Sequence, residues 1–280
     1  MGIKEDVASL KIQSANTTAI KVLRYLKVVA RRYGFSYKFR GEALELARIR
    51  KTPVLLYNLV KIILEEKRLE IFDELIERIQ KDNEKIAKIG SQLIKNNYVV
   101  HTHCHSTTAV GVLKEAGKSK RFMVIVDETR PKLQGLKTAR ELSMIKNIKV
   151  VLITDDAAGV MLSPFIPPND DIVIVGADAL RPEGLVNKIG TYLIAVAAHG
   201  QKIPFYVASS TLKYDRRKKL VIEERAKSEV YKGLKGVMIK NPAFDLTPWK
   251  YITGVITEEG IKKPRDIIKD IRVKRWDMLI

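Results

Sequence analysis

The chain has 280 residues, 46% of them hydrophobic and 30% charged, which is typical of folded globular proteins and excludes a disordered or collagen-like chain. Lysine and arginine outnumber aspartate and glutamate by 51 to 32, and the resulting net charge of +19 favours anionic partners such as phosphorylated metabolites or nucleotides. No apolar run approaches the roughly 20 residues that span a bilayer, and Cys104 is the only cysteine, so we expect a cytoplasmic protein without membrane contact or internal disulfide.

The positive charge has two interpretations, a nucleic-acid footprint or a solvated, heat-adapted surface. Basic residues are interleaved with acidic ones along the chain, a composition typical of heat-adapted proteins. No zinc-finger, RNA-recognition or glycine-rich basic motif accompanies them. We therefore favour the solvated surface and expect no direct DNA binding.

Residues 1–97 carry helical periodicity. Apolar residues recur three to four positions apart, with lysine, arginine and glutamate between them, over residues 20–30 and again over residues 59–86. Gly34 and Pro53 separate these stretches, and no strand-like run interrupts them. The pattern predicts a helical N-terminal domain.

From residue 98 onward, short β-branched runs replace the helical pattern. These runs predict strands at Tyr98–Thr102, Phe122–Val126, Val150–Thr154, Ile172–Val175, Phe205–Ala208 and Ile252–Thr257. Segments with helical composition lie between several of them, at Thr107–Ala116, Lys137–Met144 and Lys188–Ala198. Near-continuous apolar strands that alternate with helices predict a parallel sheet covered on both faces, so we expect an α/β fold over residues 98–280.

Polar clusters follow four of the predicted strands. They are His103–Ser106, Asp127–Arg130, Asp155-Asp156 and Gly176–Asp178. Ligands of parallel sheets bind beyond the carboxyl ends of the strands, so we expect the functional site at this edge.

Three of the four histidines, His101, His103 and His105, alternate along the first predicted strand and its end. Residues two apart share one face of a strand, an arrangement that suits a metal site. No further cluster of cysteine or histidine completes a ligand set. We therefore expect no metal and no cofactor.

Cys104 lies just before a predicted helix that begins near Ser106 and Thr107. A helix N-terminus stabilises a thiolate and binds phosphate through free backbone N–H groups. This position favours a functional cysteine over a small buried apolar residue. Asp178 follows a buried strand, and the nearby Gly176 permits a close approach of the backbone. The carboxylate of Asp178 has two interpretations, a functional group of the site or a side chain that fixes the loop.

Two more segments suit phosphate binding. Asn187 is placed to cap a helix that Lys188 opens, where the lysine adds a point charge. Arg130 has two interpretations: its guanidinium group binds a phosphate through two hydrogen bonds, or it forms a structural ion pair with Glu128 or Asp127. Near the C-terminus, residues 241–248 form a turn-rich segment in which Asp245 is suited to hold backbone amides.

Six short sequence blocks, taken in their order and spacing, carry a resemblance to a known family. The blocks are His103–Ser106, Glu128–Pro131, Gln134-Gly135, Gly176–Asp178, Asn187–Thr191 and Asn241–Pro248. The sequence resembles the superfamily that unites archaeal ribose-1,5-bisphosphate isomerase, methylthioribose-1-phosphate isomerase and the alpha, beta and delta subunits of translation initiation factor 2B. The resemblance implies a helical N-terminal domain (residues 1–97), a Rossmann-like domain (residues 98–280), and a homodimer or higher homo-oligomer.

The resemblance also implies a catalytic pair. Cys104 and Asp178 match the cysteine and aspartate of the isomerase branches, a pair that the factor subunits generally lack. A thiolate at Cys104 would act as the base at carbon, and a protonated Asp178 as the acid at the ring oxygen. These roles require a lowered pKa for Cys104 and a raised pKa for Asp178.

The N-terminal domain departs from the isomerase pattern. The isomerases carry an Arg-Gly-Ala motif that helps to bind phosphate, whereas Gln13 to Asn16 stand in its place here, closer to the factor subunits. Arg50 matches a second phosphate-binding block of the isomerases. The residues expected to bind substrate phosphates are Arg50, Ser106, Arg130, Asn187 and Lys188.

We therefore predict an aldose–ketose isomerase that converts ribose 1,5-bisphosphate to ribulose 1,5-bisphosphate. The alternative is a non-catalytic regulatory subunit that binds translation initiation factor 2 or a nucleotide. A third interpretation, methylthioribose-1-phosphate isomerase, shares Cys104 and Asp178 and requires an apolar pocket in place of the 5-phosphate site.

Overall fold

The N-terminal part of the molecule is built from five amphipathic helices. A computed structural model of the chain describes residues 2–11, 14–163, 171–233 and 236–273. The helices are α1 (Ile3–Ala8), α2 (Ala15–Tyr33), α3 (Tyr37–Ile49), α4 (Leu55–Glu66) and α5 (Ile71–Ser91). Their apolar faces enclose one core around Leu26, Phe39, Leu59 and Phe72. The predicted helical N-terminal part is confirmed.

A seven-stranded sheet forms the second part. Its strands are β1 (Val99–Thr102), β2 (Phe122–Asp127), β3 (Ile148–Ile153), β4 (Ile172–Val175), β7 (Phe205–Ala208), β9 (Gly254–Thr257) and β10 (Gly260–Lys262). They lie in the order β10-β9-β7-β4-β1-β2-β3. Only the β9–β10 pair of this described sheet is antiparallel. The predicted α/β fold with a parallel sheet is confirmed.

Helices cover both faces of this sheet. They are α6 (Thr107–Gly117), α7 (Gln134–Ser143), α8 (Ala158–Met161), α9 (Thr191–Gly200) and α10 (Pro264–Val273). One core joins α5 and α6 to Val100, Val124 and Ile174. A second core joins α8, α9 and α10 to Val173 and Val207. The central strand β4 is apolar along its whole length because its residues alternate between the two cores.

Strand order fixes where a ligand can enter. β1 pairs with β2 on one side and with β4 on the other, with His101 opposite both Ile125 and Val173. The chain therefore leaves β1 in one direction and later returns to its other side. Such a reversal opens a crevice between the carboxyl ends of the two strands. Cys104 follows β1 and Asp178 follows β4, so the topology brings these two residues together.

A small antiparallel sheet is the part of the fold that the sequence pattern missed. It consists of β5 (Ala179–Arg181), β6 (Gly184–Lys188) and β8 (Phe244–Pro248), in the order β5-β6-β8. The helix predicted to open at Lys188 begins at Thr191 instead. Asn187 is therefore not a helix cap but a strand residue opposite Asp245 of β8. Strands β6 and β8 pair although they lie far apart in the sequence, so no local pattern of residues predicts this sheet.

The division into domains at residues 97 and 98 stays a prediction. Helix α5 of the N-terminal part packs on α6 and contributes Ile86 to a core of the sheet. Leu212, which follows β7, contributes in turn to the N-terminal core.

No helix in the described ranges is long and apolar enough to cross a bilayer.

Candidate functional site

A cavity lies beyond the carboxyl ends of β1 and β4, against the N-terminal helices. Its polar wall includes Cys104 and Asp178 together with three cationic side chains. The cations are Arg50, Lys188 and Lys213. Ser106 and Asn187 line the same cavity, so six of the seven predicted site residues meet there.

Cys104 occupies a turn that a polar network holds in place. Its φ is +66°, a left-handed conformation that is uncommon for residues other than glycine and that recurs at functional sites. The backbone N–H of Cys104 donates to Thr129 Oγ1 at 3.0 Å, and its carbonyl accepts from Thr138 Oγ1 at 2.8 Å. Asp155 Oδ1 accepts in turn from the Thr129 N–H at 2.8 Å. The ends of three neighbouring strands thus fix the cysteine.

Burial raises the pKa of the Cys104 thiol to about 11, although the charge of Lys188 opposes this effect. The lowered pKa that the sequence predicts for this thiol is therefore wrong. A desolvated thiolate is unfavourable, and the lysine does not fully compensate for the lost water. Burial therefore favours the protonated thiol at this position.

Two helix N-termini meet at the cavity. Ser106 caps α6, where its Oγ accepts from the Ala109 N–H at 3.3 Å, as the predicted helix start requires. Ser14 caps α2, and its Oγ lies 3.3 Å from Thr107 Oγ1. Helix N-termini carry partial positive charge and free N–H groups, so the cavity wall favours anions. Gln13, the predicted departure from the isomerase motif, lies outside the described residues.

The approach of β4 to this helix start explains Gly176. A Cβ atom at this position would lie 2.2 Å from Ser106 Oγ. Glycine therefore permits the end of β4 to pass directly beside the cap of α6. Asp178, two residues further on, is positioned by its N–H, which donates to Val186 O at 2.9 Å.

The pKa of Asp178, unlike that of Cys104, is shifted in the predicted direction. Burial raises the pKa of this carboxyl, while Lys213, Arg50 and Lys188 act in the opposite direction. A carboxyl held toward its protonated form is suited to donate a proton. In its ionised form, Asp178 would add to the raised pKa of Cys104.

The sequence prediction missed Lys213. Its side chain is 3% exposed, and its Nζ donates to Ala177 O at 2.7 Å. Burial lowers the pKa of this lysine, and the neighbouring Asp178 raises it. Its signal in the sequence is the polar cluster of residues 209–211, which follows the carboxyl end of β7 just as the other site residues follow their strands.

Gln134 is a second site residue that the prediction left unassigned. It begins α7 and lines the cavity. Its Oε1 is buried and has no hydrogen-bond partner among the described residues. A buried acceptor without a donor is costly, so this atom is free to accept from a hydroxyl group of a bound ligand.

Arg130 lies outside the cavity. Its side chain is exposed, and its Nη2 donates to Val230 O at 3.2 Å. Its backbone N–H donates to Asp155 Oδ2 at 2.6 Å. Binding of a phosphate by Arg130 stays a prediction.

His101 and His103 lie in a buried hydrogen-bond network. His101 Nε2 and His103 Nδ1 both contact the carboxylate of Asp127, at 3.1 and 2.8 Å. His103, Asp127 and Asp155 also have ligand atoms within 4.8 Å of one another. However, both oxygens of Asp155 already accept from backbone amides, and His103 Nε2 lies 2.8 Å from Ile189 O. These contacts tie the strand ends together, and we assign the group no cation.

Lys188 and Arg50 border the same aromatic ring. Lys188 Nζ lies 5.2 Å from the ring centroid of Phe244, and the guanidinium carbon of Arg50 lies 5.8 Å from it. Arg50 Nε also donates to both carboxylate oxygens of Glu223, at 3.0 and 2.8 Å. Asn187 Nδ2 donates to Thr191 Oγ1 at 3.0 Å. These contacts hold the cationic side of the cavity in a defined arrangement.

This fold and this cavity define a known class of protein. Residues 11–264 match the initiation factor 2 subunit family, and the chain belongs to that family.

Relatives within the family carry different names. The chain is 37% identical to ribose 1,5-bisphosphate isomerase of Methanocaldococcus jannaschii over 93% of its length and 90% of the relative. It is 42% identical to methylthioribose-1-phosphate isomerase of Acetivibrio thermocellus, over 73% of its length and 64% of the relative. The structure of translation initiation factor eIF-2B from Pyrococcus horikoshii OT3 superposes with a TM-score of 0.82 at 34% identity, covering 95% of this chain and 97% of that one.

Proposed function

We propose that the protein is an aldose–ketose isomerase that converts ribose 1,5-bisphosphate to ribulose 1,5-bisphosphate. The observation that carries the proposal is the shared cavity of Cys104 and Asp178, in which Arg50, Lys188 and Lys213 supply three positive charges. Two helix N-termini add further anion-binding N–H groups. Although Glu223 pairs with Arg50, the positive potential of Lys188, Lys213 and the two helix N-termini favours a substrate with two phosphates over one with a single phosphate.

The substrate chemistry explains why two proton-transfer groups are needed. A phosphate on C1 blocks the usual opening of the sugar ring, so the C–O bond between C1 and the ring oxygen must be cleaved with acid assistance. A hydrogen must also leave C2, and C1 must gain one. Asp178 donates the proton to the ring oxygen and later accepts the proton of the C2 hydroxyl, so its own protonation state is restored. The Cys104 thiolate accepts the proton that leaves C2 and returns it to C1, so it ends the reaction in the state in which it began.

The two groups begin from different states. The raised pKa of Asp178 supports its role as the acid. Cys104 acts as a base only after it has released its proton to water, and the positive charge of Lys188 favours this ionisation. Lys188 therefore has two roles in this proposal, binding of phosphate and activation of the thiol.

The test is an assay of the purified protein with ribose 1,5-bisphosphate. We expect turnover by the wild type and a loss of at least about a thousandfold in kcat for Cys104→Ser and for Asp178→Asn, since each removes a proton-transfer group. The exposed Asp156, in the turn after β3, provides a matched control as Asp156→Asn. A wild type as inactive as Cys104→Ser would contradict the proposal.

One observation favours methylthioribose 1-phosphate as a second candidate substrate. The N-terminal helices contribute apolar residues to the cavity beside Arg50 and Ser14, among them Val7, Leu10, Leu46 and Leu56. An apolar wall suits a methylthio group better than a second phosphate. Parallel assays with both sugar phosphates separate the two substrates, and the larger kcat/KM identifies the correct one.

The regulatory-subunit alternative is tested in the same preparation. A factor-type protein would retain translation initiation factor 2 in a pull-down and would turn over neither sugar. The presence of both Cys104 and Asp178 in a cation-lined cavity supports the enzyme instead.

A further inference from the structure

The turn that carries Lys213 lies against two buried carboxylates from distant parts of the chain. Asp82 of α5 is 2% exposed, and Glu258, in the turn between β9 and β10, is 9% exposed. Arg78 lies between them, with Nε 2.7 Å from Asp82 Oδ1 and Nη2 3.2 Å from Glu258 Oε1. None of these three residues lines the cavity of Cys104 and Asp178.

Each carboxylate binds the start of the Lys213 turn. Ser210 Oγ donates to Asp82 Oδ2 at 2.7 Å. The backbone N–H of Thr211 donates to Glu258 Oε2 at 3.2 Å, and the hydroxyl of Thr211 makes a short hydrogen bond to Glu258 Oε1. Two consecutive residues of the turn are thus held by side chains that lie 128 and 47 positions away in sequence.

The other side of the turn is held from the N-terminal helices. Asn58 of α4 is buried, and its Nδ2 donates to Leu212 O at 2.8 Å and to Tyr214 O at 2.9 Å. The turn itself is a single 3₁₀ turn in which the Lys213 N–H donates to Ser210 O at 3.0 Å. It delivers the Lys213 ammonium to Ala177 O, beside Asp178.

Buried carboxylates are an expensive way to anchor a turn. Burial and the charge of Glu258 together raise the pKa of Asp82 to about 6, which measures how unfavourable its ionised form is here. Apolar packing would hold the chain without this penalty, but it would not fix individual N–H and hydroxyl groups. A directional anchor matters where the side chain two residues further on must meet a ligand, since a displacement of about 1 Å costs on the order of a hundredfold in rate.

We propose that Asp82 and Glu258 are positioning residues that hold the Ser210–Lys213 turn, so that the Lys213 ammonium faces the anionic part of a ligand bound beside Cys104 and Asp178. The inference rests on the proposed function only for the identity of that ligand. The placement of Lys213 itself is measurable without any substrate.

The first measurement is the rate of reductive methylation of Lys213, followed by mass spectrometry on its peptide with the exposed Lys227 as internal reference. Thr211→Val keeps the volume of the side chain but removes the hydroxyl that Glu258 holds, and Thr211→Ser restores that hydroxyl. We expect Lys213 to be methylated at least fivefold faster in Thr211→Val and in Glu258→Gln, because the loosened turn exposes the ammonium. Thr211→Ser and the neighbouring exposed control Glu259→Gln should match the wild type.

The second measurement is kcat/KM for ribose 1,5-bisphosphate in the same variants. We expect a decrease of at least tenfold in Thr211→Val with rescue in Thr211→Ser, while circular dichroism confirms that each variant is folded. Unchanged methylation of Lys213 in both Thr211→Val and Glu258→Gln would overturn the positioning role, even if the wild type is active. Faster methylation in a protein without isomerase activity would instead support the positioning role and contradict the proposed function.

Discussion

At the scale of single residues, Cys104 shows what a sequence can and cannot predict. Its place before a helix is a local property, and the predicted helix start at Ser106 and Thr107 is confirmed. Its ionisation is not local, because it depends on how much water the folded chain removes from around the sulfur. Burial outweighs Lys188 and the backbone N–H of His105, so the pKa rises where the sequence predicts a decrease.

This difference predicts a distinctive reactivity of the thiol toward iodoacetamide. Cys104 is the only cysteine, so alkylation reports on it alone. The rate should increase about tenfold per pH unit from pH 7 and keep rising toward pH 11, since only the thiolate reacts. Lys188→Met should slow the reaction at pH 9 because it removes the nearby positive charge, whereas Lys188→Arg should preserve it. A plateau above pH 9, as for an ordinary exposed thiol, would contradict the raised pKa.

At the scale of secondary structure, strand ends were predictable and the small sheet was not. Apolar runs identify β1 and β4, and the rule that parallel sheets bind ligands at their carboxyl ends correctly brings Cys104 and Asp178 to one cavity. Strands β6 and β8 are short, antiparallel and far apart in sequence, so their pairing has no local periodicity. The sequence predicts that Asp245 holds backbone amides, and its Oδ2 accepts from the N–H groups of Gly190 and Tyr192 at the start of α9.

This carboxyl gives α9 a pH-dependent cap. Burial raises the pKa of Asp245 to about 6, although the two amide hydrogen bonds act in the opposite direction. Below about pH 4 the carboxyl is protonated in both the folded and the unfolded chain. Between pH 4 and 6 it is ionised only in the unfolded chain, so folding takes up a proton and stability falls as pH rises. Above pH 6 the full penalty remains, at most about 3 kcal/mol.

Asp245→Asn keeps an oxygen that accepts from the two amides but carries no charge. We therefore expect the free energy of unfolding of the variant, relative to the wild type, to increase between pH 4 and 6 and then to stay constant, by at most about 3 kcal/mol. Urea titrations of both proteins at each pH measure this difference, from which the contributions of other carboxyls cancel. A difference that decreases with pH would show that the amide bonds dominate and that the pKa is lowered.

At the scale of the whole molecule, the site exists because the two parts of the chain are packed together. Arg50 comes from the end of α3, while Lys188 and Lys213 come from the α/β part. The sequence identifies most of these residues singly, since each carries a recognisable charge at the end of an element. It cannot identify Asp82 or Glu258, because their role depends on contacts with a turn that lies elsewhere in the chain.

Assembly into a homodimer or higher oligomer stays a prediction.

A crystal structure of the Cys104→Ser variant with ribose 1,5-bisphosphate tests the central proposal most directly. We expect the C1–C2 bond of the sugar to lie between the two predicted catalytic positions, with reacting atoms at roughly 3.5 Å from the side chains of residues 104 and 178. The phosphates should contact Arg50, Lys188 and Lys213. A sugar bound with C1 and C2 directed away from both side chains, or bound outside this cavity, would contradict the proposed mechanism.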